Sequence, residues 1–213
     1  MALLALAALP GLIAAWTAEF LPPTAVEPWL PLVAGFLGYG LLWGILFKKR
    51  QTGSFLPTFV HELSHAFAAL CTFHGVGNLR AGWSSGGRIT IRGGSNWLIV
   101  IAPYFLPIVP VIGACCVVFA PDEWKATSSI GFGAAIAFYM FSLASDVHAE
   151  QTDLQHVGFP FACCFLPSAN LFILGGLMAW TVGGPEDAHA FVAEAVRTTQ
   201  LGAEWIMDHL PPG

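Results

Sequence analysis

The chain has 213 residues and a net charge of -5; 56% of its residues are hydrophobic and only 10% are charged, with a mean hydropathy of +0.69. Ordinary soluble domains carry about 25% charged residues, so this composition excludes that class. The eight Lys and Arg form no long run and give no sign of nucleic-acid binding. The expectation is an all-α, polytopic membrane protein: a bundle of about five to six transmembrane helices.

The first span is predicted over residues 2–16; it is short, interrupted by Pro10, and ends before Glu19. A signal peptide is the competing reading. The absence of a positive leading region and of a clear cleavage site favours a retained span or an embedded anchor. The second span, residues 29–47, stops at Lys48, Lys49 and Arg50. Positive charge at that end assigns it to the cytoplasmic face.

The third span, residues 55–73, contains His61-Glu62-Leu63-Ser64-His65. Histidines four apart share one helix face, so both rings can reach one metal ion, and zinc takes neutral imidazole readily. Glu62 can accept a proton from water activated at that metal. Apolar runs flank the motif, with Phe55, Leu56, Phe59 and Val60 before it and Ala66, Phe67, Ala68, Ala69 and Leu70 after it. An ionisable group in a bilayer costs a few kcal/mol or more and marks a functional site. The competing reading is a polar cluster lining a water-filled cavity.

Residues 78–95 are Gly-rich. Arg88-Ile89-Thr90-Ile91-Arg92 alternates as a half-buried strand does. With Gly86-Gly87 as a two-residue turn and residues 79–85 as the partner strand, this predicts a small β-hairpin after the motif helix; an irregular loop is the alternative. Arg80, Arg88 and Arg92 make the segment basic, as residues 48–50 are. One straight span between two basic loops places them on opposite sides. Either the positive-inside tendency fails here or the hairpin dips back into the membrane.

The fourth span, residues 97–120, contains Pro103, Pro107 and Pro110 and is predicted to be kinked or broken. The fifth covers residues 130–144 and the sixth residues 157–180. Residues 186–210 suit a surface helix with an apolar face of Phe191, Val192, Ala195, Val196, Trp205, Ile206 and Leu210. This divides the chain into a membrane domain, residues 1–185 with a core at about 55–180, and a C-terminal amphipathic helix and tail, residues 186–213. The five cysteines show no CxxC spacing and read as small apolar residues rather than a disulfide framework.

A catalytic zinc needs a third protein ligand. The dense polar patch between the fifth and sixth spans offers Asp146, His148, Glu150, Asp153 and His156. Asp153 is preferred because a carboxylate is favoured where a helix begins. Asp146, ending the preceding span, is the runner-up, and the others are further candidates or partners that orient a ligand.

A HExxH helix in a membrane span, a following hairpin and an aspartate on a later span resemble the site-two protease group of intramembrane zinc metalloproteases. The stretch FLPTFVHELSHAFAALCTF, residues 55–73, is similar to the first motif of the smaller, bacterial-type members. The resemblance covers residues 55 to about 174. The better-known members carry an Asp-Gly pair, which this chain lacks. Gln151-Thr152-Asp153-Leu154 followed by Gly158-Phe159-Pro160 is similar to divergent members instead.

The resemblance implies Zn2+ held by His61, His65 and Asp153, Glu62 as general base, and an extended substrate segment received by the hairpin, residues 79–92. It further implies a multi-pass protein of a bacterial cytoplasmic membrane that cleaves membrane-spanning or membrane-associated protein substrates within the lipid bilayer. The alternatives are an inactive binding or scaffold protein of the same fold, a membrane zinc hydrolase with a non-peptide substrate, and, last, a transporter, for which no internal repeat is visible.

Overall fold

The structure, a computed structural model, describes residues 2–20, 27–47, 55–82 and 86–209, without the side chains of residues 46, 47, 206, 207 and 209. The basic cluster of residues 48–50 and most of the hairpin tip lie outside these, as does Leu210. Packing divides the chain into two compact units, Met1–Trp29 with Pro160–Gly213, and Leu30–Phe159.

In the first unit, helix α1 (Ala2–Phe20) runs through Pro10 without a break and extends past the predicted end at residue 16. It packs on helix α8 (Phe159–His209). Leu12 and Ala15 are buried with Ala179, Phe191 and Ala195, and the Trp16 indole N–H donates to the Leu171 carbonyl at 2.8 Å. The predicted sixth span and the C-terminal segment both fall on α8, which breaks at Gly184 (φ 84°).

The second unit holds α2 (Leu30–Leu42) with a π turn (Trp43–Phe47), α3 (Phe55–Cys71), β1 (Gly75–Ala81), β2 (Gly87–Arg92), α4 (Trp97–Ile101) followed by a 3-10 turn (Ala102–Tyr104), α5 (Ile108–Val118), α6 (Asp122–Asp146) and α7 (Thr152–Val157). Glycines bring α2 and α6 together. A Cβ on Gly35 would strike the Ile130 carbonyl, and one on Gly133 the Leu32 carbonyl. Such backbone contact is how membrane helices associate when both faces are already apolar. Helix α6 starts eight residues before the predicted fifth span, because Asp122 and Glu123 suit its first turn after Pro121.

Among the described residues four helices are long and apolar enough to cross a membrane, or five if the bent pair Trp97–Tyr104 and Ile108–Val118 is one span. That pair is the proline-rich fourth segment. Its halves meet at 64°, as three prolines without amide hydrogens dictate. The motif helix α3, with 17 residues, is ~26 Å long against a hydrocarbon layer of ~30 Å.

The hairpin is present, but its turn differs from the two-glycine reading. Pairing runs from Gly75 with Arg92 to Ala81 with Gly87. Gly87 is a strand residue, and the left-handed position belongs to Gly86 (φ 69°), whose carbonyl accepts from the Gly82 amide at 3.1 Å. One hairpin face lies on α3. Val76 and Ile91 pack on buried Ala68, Ala69, Ile99 and Ala102. Small alanines on that side of α3 let the strands sit close to the motif helix.

Candidate metal centre

Four elements of the second unit converge on the motif. Helical spacing puts His61 and His65 on one face of α3, with ring centroids 5.0 Å apart. Asp153 comes from α7, a short helix that Gly158 (φ 91°) ends before α8 begins; it stands inside this separate helix rather than before the sixth span. Leu154, fully buried, anchors α7 and thereby fixes its neighbour Asp153. The Asp153 Oδ2 lies 3.3 Å from His61 Nε2 and 3.3 Å from His65 Nε2. Ligand atoms of His61, His65 and Asp153 all lie within 4.8 Å of one another.

Each ring has its other nitrogen held. His65 Nδ1 donates to the Ile99 carbonyl at 2.7 Å. In a continuous helix that carbonyl would accept from residue 103, which is Pro103 and has no N–H. The proline leaves an acceptor unmatched and the histidine fills it. His61 Nδ1 faces Asp146 Oδ2 at 3.4 Å, from the last residue of α6. Both contacts direct the Nε2 lone pairs inward.

Asp153 is supported in turn. The Tyr104 hydroxyl donates to its Oδ2 at 3.3 Å. The Tyr104 ring, fully buried, meets His61 edge to face at 5.4 Å. Its backbone carbonyl accepts from the Tyr139 hydroxyl at 3.2 Å. Burial works against the charge on Asp153, but hydrogen bonds and charge from His61 and His65 outweigh it and hold the carboxyl below the usual carboxylate range.

Glu62 is buried on the neighbouring side of α3. Its carboxylate rests against the backbone of Gly87, where any Cβ would collide with it. An open cavity joins these groups. His61, Glu62, His65 and Asp153 line it, together with Gly86, Gly87, Arg88, Ile89 and Ile91 of the hairpin region and Ser145, Asp146, His148, Gln151 and Thr152 of the polar patch.

The donor set suits a zinc-type ion. Two imidazole nitrogens and a carboxylate oxygen are common zinc ligands, and tetrahedral bonds of 2.0–2.1 Å put ligand atoms about 3.4 Å apart. The separations from Asp153 are 3.3 Å. Of the other patch candidates, Asp146 contacts the outer nitrogen of His61 and His148 is exposed at the cavity wall. Glu150 and His156 are exposed and do not line the cavity.

Sequence reasoning passed over Tyr104, the Ile99 carbonyl and Gly87. A lone tyrosine in an apolar span and a proline four residues after Ile99 are the signals that could have found the first two.

The family model for Peptidase M50B-like proteins matches residues 45–172, a segment that contains every residue of the site. No curated protein and no solved structure matches the chain.

Proposed function

The chain belongs to the M50B-like peptidase family, and from that premise we propose that it is an intramembrane zinc endopeptidase acting on membrane-associated protein substrates. The observation that carries the reading is the convergence of His61, His65 and Asp153 beside the buried Glu62. In this reading His61 Nε2, His65 Nε2 and an Asp153 carboxylate oxygen hold the ion. Zinc there supplies Lewis acidity, polarising a carbonyl and acidifying water.

Glu62 is the general base. Its carboxylate takes the proton of the attacking water and passes it to the leaving amine. Asp146 and the Ile99 carbonyl keep the two rings in the tautomer that points Nε2 inward. Tyr104 holds Asp153 in register with them. The polar wall of Ser145, His148, Gln151 and Thr152 provides the route for water.

The substrate must unwind to expose its backbone. Among the described residues β2 pairs with β1 alone, and residues 86–89 of the hairpin line the cavity. The free edge of β2 can therefore take the unwound segment as an added strand, beside Glu62. The similarity of residues 55–73 to bacterial-type members supports a bacterial cytoplasmic membrane as the setting.

The test is a cleavage assay on purified protein in lipid nanodiscs. Native protein cleaves a transmembrane substrate. Glu62→Gln retains its zinc while cleavage falls by roughly 10²- to 10⁴-fold, the range for loss of a general base. Cleavage unchanged in Glu62→Gln removes Glu62 from the mechanism.

A further inference from the structure

The hairpin carries a set of cations that no ion pair among the described residues neutralises. Among the described residues Lys125 pairs with Asp122 and Arg197 with Glu194, whereas Arg80, Arg88 and Arg92 are exposed and have no carboxylate partner. Residues 75–96 contain no Asp or Glu.

The three share one face. Arg88, Thr90 and Arg92 alternate along β2, and Arg80 stands directly opposite Arg88 across the ladder. Like charges directly opposite each other destabilise a sheet. A chain with net charge -5 and only eight basic residues nevertheless places three of them here. Ile89 and Ile91 occupy the alternate positions of β2, are half-buried and line the cavity, so the arginines are the charged side chains that β2 offers to a partner.

That partner is located by the cavity. Arg88 lines it next to Gly87, and Gly87 touches the Glu62 carboxylate. A strand added to the free edge of β2 would set its own side chains opposite Arg88 and Arg92, at cross-strand separations of about 5 Å. Guanidinium and carboxylate pair there in bidentate geometry.

We propose that the hairpin selects substrates whose unwound segment carries acidic residues four apart, one meeting Arg88 and the other Arg92, with Arg80 reinforcing the field at the first. This deepens the peptidase reading and rests on its pairing of substrate with β2.

The test separates binding from cleavage. Glu62→Gln protein in phosphatidylcholine nanodiscs, which carry no net lipid charge, is titrated with a short fluorescein-labelled threonine–valine segment. The segment carries glutamates four residues apart in one version and glutamines in the other. The glutamate version binds roughly tenfold more tightly at low salt, as two exposed ion pairs allow, and salt narrows the gap. In Arg88→Glu/Arg92→Glu the preference reverses toward a lysine version.

Equal affinity of the native hairpin for the glutamate and glutamine versions overturns the proposal, and that comparison needs no hairpin variant to fold. A glutamate preference that persists unchanged in the double variant also overturns it. If instead the glutamate preference is absent and the double variant loses binding to phosphatidylglycerol vesicles, lipid headgroups occupy the face and the proposal falls. Selective binding of the glutamate version, with no cleavage of it by the native protein, contradicts the peptidase reading and leaves the arginine assignment standing.

Discussion

His61 and His65 are held through different partners: an aspartate from the end of α6 for one, a backbone carbonyl for the other. Asp153, facing both inner nitrogens, has its own support in the Tyr104 hydroxyl. Removing that hydroxyl leaves all three proposed ligands in place. Tyr104→Phe should therefore still bind zinc, with affinity lowered roughly 10- to 100-fold, the usual cost of losing a group that orients a ligand; competition against a chromogenic chelator reads this directly. Gly87 makes the opposite kind of prediction. Gly87→Val pushes the Glu62 carboxylate out of position without touching a proposed ligand, so zinc content stays near native while cleavage falls by about 10²-fold or more.

At this scale the histidine pair was legible because helical periodicity is local. The place of Asp153 at a helix start favours it as third ligand, but the contact of Asp146 with the outer nitrogen of His61 was not legible. Both belong to one short polar segment, and which oxygen reaches which nitrogen depends on how the backbone of residues 147–151 returns from α6 to α7.

At the level of elements, the broken fourth segment matters most. Its prolines were legible as a kink, but the destination of the freed carbonyl was not, since no local pattern ties Ile99 to His65. Pro103→Ala restores an N–H that can bond the Ile99 carbonyl and compete with His65 Nδ1. The expected result is a roughly tenfold weaker zinc affinity with the helical content preserved, measured by chelator competition alongside circular dichroism. The hairpin was legible from the alternation of residues 88–92. Its register was not, because Gly86 and Gly87 fit a two-residue turn equally well. What decides between the turns is the packing of Val76 and Ile91 on the alanines of α3, which starts the pairing at Gly75.

For the whole molecule, composition alone was enough to indicate a multi-pass helical protein, and four or five apolar helices are found among the described residues. The gathering of α3, α4, α6 and α7 around one point was beyond composition, because it depends on contacts such as the Gly35 and Gly133 notches that seat α2 on α6. At that point His61, His65 and Asp153 are the proposed ligands, and the proposed role of Asp146 is to orient His61. The decisive measurement of this ligand set is the zinc content per chain of purified native, Asp153→Asn and Asp146→Asn proteins after dialysis against trace zinc. The expected result is near-stoichiometric zinc in the native protein, near-stoichiometric zinc in Asp146→Asn with affinity weakened roughly 10- to 100-fold, and almost none in Asp153→Asn. Full zinc in Asp153→Asn, or its loss from Asp146→Asn alone, would contradict it.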